Sequence, residues 1–386
     1  MSICTTLGLA KVILTPCDTM EKFESVLNAI LVTTGQYIES WTRNSPPQKN
    51  TAFFGVSRQC EQLLDICGPM GYGPKYLSDN DAGPPWMGDE DKKQHTFVKG
   101  VYVLPPEELP GSGVRVFIAV SSFSSCKSIA KQLEKLNVPL VGQDENCFYE
   151  SLIMNDTAKY FAANLDSIRQ AVANFYDRRS KFVYLTLLKA RCVDRESASV
   201  LYGSIMEGGQ YWALEEFKNI PNATFVDLGA FTGDTVAQFV QNNIDAGISR
   251  IHAFEAFPAL YDELCENVRA LAEEFSFDAG KIFCRQGVIG IKGKAPAGVT
   301  VHSLDDILDE PVHFIKSDIE GAEQDMLDGA AKLIQKYRPH LAISIYHTNE
   351  DMFAIPQKIR SLVPEYNMAV RHHLDRSNET VLYCWV

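Results

Sequence analysis

The sequence predicts an α/β protein: a doubly wound, mostly parallel sheet closed by an antiparallel C-terminal hairpin, preceded by a smaller α/β domain. Three observations carry this. Short apolar runs alternate with stretches of helical spacing in two separate blocks, one near 50–145 and one at 219–386. In the second block the first run, "TFVDLG" (224–229), passes into a glycine-bearing turn and then into "DTVAQFVQNN", a helical pattern. The chain ends on two further strand-like runs, "MAVRHH" (368–373) and "TVLYCWV" (380–386), which close as a hairpin.

Taken in order, residues 1–48 form a helical segment. Within it Phe23, Val26, Leu27, Ile30, Leu31 and Tyr37 recur at helical spacing over 18–43, with Asp18 or Thr19 as N-cap. "NSPPQKN" (44–50) ends that helix. Residues 49–148 read as a small Rossmann-like unit. Its strands are "TAFFGV" (51–56), "KYLSDND" (75–81), "VRVFIAVSS" (114–122) and "PLVG" (139–142), with helices at 59–66 and 125–136 and a polar loop at 83–94. Residues 149–218 read as a helical connector, from "NLDSIRQAVANFYD" and "RESASVLYGSIMEG". The last domain, 219–386, continues with strands at 250–256, 281–289, 312–319 and 340–346 before the terminal pair.

Composition narrows the partners. The formal charge is −13, from 49 acidic against 36 basic residues, so neither nucleic acid nor an anionic membrane surface is an expected partner. The ten cysteines are scattered with no C-x-x-C pair, which points to neither a zinc site nor a disulfide framework. The first twenty residues lack a basic n-region and a long apolar stretch. No signal peptide or membrane span is read there, and a cytoplasmic location is expected.

The turn "GAFTGDT" carries the chemistry. A dinucleotide fingerprint would place a glycine where Phe231 stands, and a bulky ring there crowds a pyrophosphate; no G-K-[ST] follows either. Glu255 ends the next strand, 22 residues beyond Gly233, where an acid accepts hydrogen bonds from ribose hydroxyls. Asp227, at the end of the first strand, stands where a cationic amino group is met. A nucleoside with an amino-acid tail and no phosphates suits both, and S-adenosylmethionine is that ligand. The cofactor-binding set is then Asp227, Gly229, Ala230, Phe231, Thr232, Gly233, Asp234, Thr235, Glu255, Ala256 and Asp318. Lys316, Asp318, Glu320 and Glu323 cluster after a further strand, at the edge where open α/β sheets bind ligands. Asp318 is assigned to the pocket. Glu323 reads instead as an acid favoured by the dipole of a helix first turn.

The motifs "FVDLGAFTGDT", "IHAFEAFPALYDELCENV", "SLDDIL", "FIKSDIEGAEQDMLDGA" and "RPHLAISIYH" together resemble the FkbM-type methyltransferases over roughly residues 205–386. The resemblance implies a class I Rossmann-like methyltransferase fold, S-adenosylmethionine as cofactor, and O-methylation of hydroxyls, often on sugars or polyketide-like products. The chain departs from the family at Ala256-Phe257, where Pro and a small polar residue often follow the Glu. The N-terminal half resembles the small Rossmann-like domain sometimes fused ahead of such enzymes. There Gly55 stands without companion glycines, so no dinucleotide is expected.

Methyl transfer is a positioning task helped by a base near the hydroxyl. His347, directly after "AISIY", is the expected general base, with Lys316 orienting substrate or stabilising charge and Glu320 contacting cofactor or substrate. The acceptor is expected to be a hydroxylated small molecule or a glycan. No metal is expected, although Asp318, Glu320 and His347 offer ligands for a metal-assisted variant. His372 and His373 read as structural or substrate-peripheral; "QYW" (210–212), just before the first strand, either folds over the cofactor or packs as an aromatic anchor, and packing is preferred. A nicotinamide-dependent oxidoreductase and a non-catalytic scaffold stand as alternatives; homo-oligomerisation is left open.

Overall fold

The computed structural model describes residues 3–47, 50–80, 97–276, 278–290 and 301–386. The polar loop expected at 83–94 lies outside the described residues. The fold is mixed α/β, with two mostly parallel sheets in two compact units. The first unit comprises residues 1–165, 185–204 and 375–377; the second comprises 166–184, 205–374 and 378–386.

In the first unit, β1 (Thr51–Phe54), β2 (Tyr76–Ser78), β3 (Phe97–Val98), β4 (Val101–Leu104) and β5 (Arg115–Ile118) form a sheet in the order β3-β4-β2-β1-β5. All pairs are parallel except β3 with β4. The helix Met20–Asn44 starts on Thr19, whose side chain accepts the Lys22 N–H. A strand expected at 139–142 reduces to one bridge, Leu140 with Val116. β3 and β4 are additional to the expected strands; β3 has only two residues, too few to show an alternating pattern. The core is aromatic: Phe53 lies 5.0 Å edge-on to Tyr149, and Trp41 stacks on Phe148 at 5.3 Å. Beneath it Arg195 is buried against Glu150 and donates to the Ile118 carbonyl at 2.7 Å.

The second unit is built on β6 (Ala223–Leu228), β7 (Ile248–Glu255), β8 (Ile282–Gln286), β9 (Val288–Ile289), β10 (Val301–His302), β11 (Phe314–Ser317), β12 (His340–Ser344), β13 (Asn367–His372) and β14 (Thr380–Trp385). Seven of these form one sheet, ordered β13-β14-β12-β11-β6-β7-β8. It is parallel from β8 to β12, and β14 then runs antiparallel between β12 and β13. The single strand expected at 281–289 divides at Gly287, and β9 leaves the sheet to pair with β10. Strand order reverses between β6 and β11, so the loops after these two strands flank the crevice where open α/β sheets take ligands. The strands there are buried on both faces, as the uniform burial of Ala223–Leu228 and Phe314–Ser317 requires. Phe225 stacks on Phe239 at 4.3 Å, and Phe217 meets Phe314 and Tyr383 edge-on, which fixes the sheet against its helices. Among the described residues no helix is long and apolar enough to cross a membrane.

Candidate active site at the carboxyl edge of the second sheet

The turn after β6 is set by two left-handed glycines. Gly229 has φ +75°, and the N–H groups of Gly229 and Ala230 both reach the Phe254 carbonyl, at 3.1 and 2.9 Å. A Cβ on Gly229 would lie 2.0 Å from the Asp318 carbonyl oxygen, so the close approach that demands glycine is to the loop after β11. Gly233, at φ +91°, caps the helix Asp234–Asn243. Between them Phe231 also adopts φ +48°, uncommon for a bulky residue, and its ring is 54% exposed. Glu255 fixes this turn. One carboxylate oxygen accepts the Phe231 N–H and the other the Phe257 N–H, each at 2.9 Å. Each oxygen keeps lone-pair capacity for a further donor.

Lys316 and Asp227 are direct register partners on β11 and β6. The Lys316 Nζ lies 2.9 Å from Asp227 Oδ1 and donates to the carbonyls of Gly229 at 2.6 Å and Leu228 at 3.3 Å. Its three N–H groups are therefore directed at the turn. The lysine thus ties β11 to the Gly229 turn and to Asp227. Both side chains are buried. Burial pushes the Asp227 carboxyl up to about 6 against the pull of Lys316, while the carboxylate holds the ammonium above its ordinary value despite burial. Asp227 Oδ2 makes no hydrogen bond among the described residues.

Asp318 gathers the remaining groups. Its carboxylate accepts the Tyr211 hydroxyl at 3.1 Å and the Tyr346 hydroxyl at 3.0 Å, and His347 Nε2 lies 3.2 Å away. The other imidazole nitrogen, Nδ1, lies 3.1 Å from Glu323 Oε1. Burial would raise the Asp318 carboxyl, but the bond to His347 and the charge of Lys316 bring it down to about 2. Burial likewise works against a charged His347, yet its bonds to Asp318 and Glu323 lift it to about 10. At neutral pH the ring is thus an imidazolium between two carboxylates, and the expected base holds both its protons.

Asp318, Glu323 and His347 are close enough to share a cation. However, the carboxylates address opposite ring nitrogens, and one ion binds only one nitrogen of an imidazole. The arrangement therefore serves an ion pair better than a metal. Glu323 begins the helix Glu323–Gly329 as expected, but it is fully buried and also receives the Ile319 N–H at 2.9 Å. Glu320 is 84% exposed on its side chain and 3.6 Å from His347 Nε2, at the solvent side of the cluster.

Tyr211 and Tyr346 were not read as site residues. Tyr346 directly precedes His347, a signal that was available. Tyr211 lies in "QYW", for which a fold over the cofactor is the less favoured expectation; its approach to Asp318 depends on a backbone at φ +65° and on its N–H donating to the Tyr383 hydroxyl at 3.0 Å. Glu379 also lies near; burial and then the charge of Asp318 push its carboxyl up. His372 and His373 hold the hairpin, through Thr380, the Glu207 carbonyl and the Tyr383 hydroxyl. A cavity of about 580 Å³ lined by Gly290, His302, Ser303, Asp306 and Asp328 takes no residue from the Asp318 cluster.

Residues 227–370 match the Methyltransferase FkbM domain. A crystal structure of a methyltransferase FkbM from Methylobacillus flagellatus KT is similar in fold, with a TM-score of 0.64 and 17% identity over 95% of this chain and 100% of that one. Precorrin-6y C5,15-methyltransferase from Geobacter metallireducens GS-15 (TM-score 0.29, 15% identity, 48% of this chain and 95% of that one) scores too low to bear on the fold. The same holds for an rRNA methylase from Streptococcus thermophilus (TM-score 0.30, 12% identity, 43% and 89%). No curated protein matches the chain. The matched segment belongs to the second unit and includes Asp227, Glu255, Lys316, Asp318, Glu323 and His347, whereas Tyr211 and Glu379 lie outside it.

Proposed function

We propose that the chain is an S-adenosylmethionine-dependent O-methyltransferase acting on a hydroxyl of a carbohydrate or related natural product. The observation that carries this is the Gly229–Gly233 turn at the switch point, locked to the end of the neighbouring strand by Glu255, inside a methyltransferase domain. The residues suit the cofactor. Glu255 has acceptor capacity for ribose hydroxyls, Asp227 Oδ2 is a buried oxygen with no hydrogen bond among the described residues, and Phe231, Thr232 and Asp234 of the turn are accessible. When bound, the cofactor supplies an electrophilic methyl group. The chain's own work is to orient the acceptor oxygen in line with that methyl and to receive the hydroxyl proton. His347 is already protonated and Asp318 is held ionised, so both act as fixed charges. Glu320, the exposed carboxylate at the rim, takes the proton and passes it to solvent.

Calorimetry with S-adenosylhomocysteine tests the cofactor, and radiolabelled methyl transfer to a panel of saccharides and polyhydroxylated small molecules tests the acceptor. Binding of the homocysteine product with no response to NAD is the expected result. Tight NAD binding in its place would favour the oxidoreductase.

A further inference from the structure

Asp318 is restrained far beyond what a surface acid requires. Its hydroxyl donors come from two separate segments, Tyr211 ahead of the sheet and Tyr346 after β12, and the His347 ring lies 3.2 Å away, so the carboxylate is fixed in direction as well as in charge. The carbonyl of the same residue is the surface against which Gly229 packs. Asp318 therefore stands beside the turn, directly after β11, while Glu255 ends β7 on the other side of β6. Charges around it do not balance. Among the described residues Asp227, Glu323 and Glu379 add to Asp318, against the two cations His347 and Lys316, whose charges both reach Asp318. Independently, Glu323 Oε2 is fully buried and makes no hydrogen bond among the described residues. Pre-oriented negative charge in excess of the cations beside it complements a further cation.

We propose that Asp318, oriented by Tyr211, Tyr346 and His347, recognises the positive sulfonium of the cofactor, so that the site holds the charged form more tightly than the neutral thioether left after transfer. This inference rests on the S-adenosylmethionine reading above. In the reaction the sulfur–methyl bond breaks with its electron pair staying on sulfur, a carbon–oxygen bond forms to the acceptor, and the hydroxyl proton leaves to solvent. The group beside Asp318 loses its charge in that step, which weakens its hold and favours release of product.

Calorimetric affinities for three ligands test this: S-adenosylmethionine, S-adenosylhomocysteine, and sinefungin, which carries an ammonium where the sulfonium stands. The wild type is expected to bind both cations more tightly than the thioether. Asp318→Asn is expected to weaken both cations about tenfold and the thioether less than about twofold. Tyr346→Phe keeps the ring, removes one donor, and is expected to move the same ratio in the same direction by about threefold; it stands in if Asp318→Asn does not fold. Equal losses for all three ligands, or a wild type that binds the thioether as tightly as the cations, would overturn the proposal. A wild type that binds none of the three overturns the parent reading with it.

Discussion

Gly229 and Phe231 sit two residues apart in one turn, and the same backbone region constrains them in opposite senses. Gly229 occupies φ +75° with the Asp318 carbonyl where a side chain would begin, so Gly229→Ala adds both left-handed strain and overlap. A loss of about 2–5 kcal/mol is expected, read from the urea midpoint. Phe231 holds φ +48° with no such contact demanding its ring. Phe231→Asn places a residue that tolerates this conformation, and a rise in melting temperature corresponding to about 1 kcal/mol is expected. A drop would mean that the half-exposed ring packs more than its exposure indicates. Both positions were legible in the sequence because a glycine turn after an apolar strand is a local pattern. The reason for Gly229 was not, since the carbonyl it meets lies 89 positions away.

Strand pairing decides what the charged residues do. Lys316 and Asp227 are neighbours across β11 and β6, and burial on both sheet faces leaves each the other's main counter-charge. Lys316→Met should therefore cost about 3–5 kcal/mol by stranding the carboxylate, whereas adding Asp227→Leu should recover much of that loss in a double-mutant cycle. The loops after β11 and β12 are joined the same way by His347. Its folded value of about 10 lies above its ordinary 6.5, so the folded state binds the extra proton. That contribution is complete below about pH 6.5 and is lost as pH rises through about 10. Asp318, lowered to about 2 from 3.8, contributes above about pH 3.8 and loses its share as pH falls through about 2. Asp227, raised to about 6, changes below the His347 window. The unfolding free energy of wild type minus His347→Gln should accordingly fall between pH 6.5 and 8.5; a flat difference would show that the imidazole is not held charged. The sequence placed His347, Asp318 and Glu320 at one sheet edge correctly as elements. It was silent on which nitrogen meets which carboxylate, because that depends on where the helix from Glu323 starts relative to β12.

At the scale of the molecule, the chain passes between its two units more than once, which composition and periodicity do not reveal. Both blocks of alternating strands and helices were readable, but the helical spacing of the stretch between them does not say which sheet each turn serves. Residues 166–184 count with the second unit and 185–204 with the first. The reason is visible at β13, the edge strand of the seven-stranded sheet. Its Met368 carbonyl accepts the Tyr176 N–H at 2.7 Å, the Val370 N–H reaches Ser180 Oγ at 3.0 Å, and Arg371 pairs with Asp177 at 2.8 Å. These contacts cover an edge that would otherwise offer unpaired N–H and C=O groups to other chains. A fragment of 219–386 includes every strand of the sheet but none of this cover. It is expected to unfold at lower temperature than the second unit does in the full chain, and to aggregate as it does so. A fragment starting at residue 166 should recover most of the lost stability and stay soluble. Equal stability of the two fragments, measured by calorimetry and light scattering, would show that the antiparallel pairing of β13 with β14 suffices for the edge.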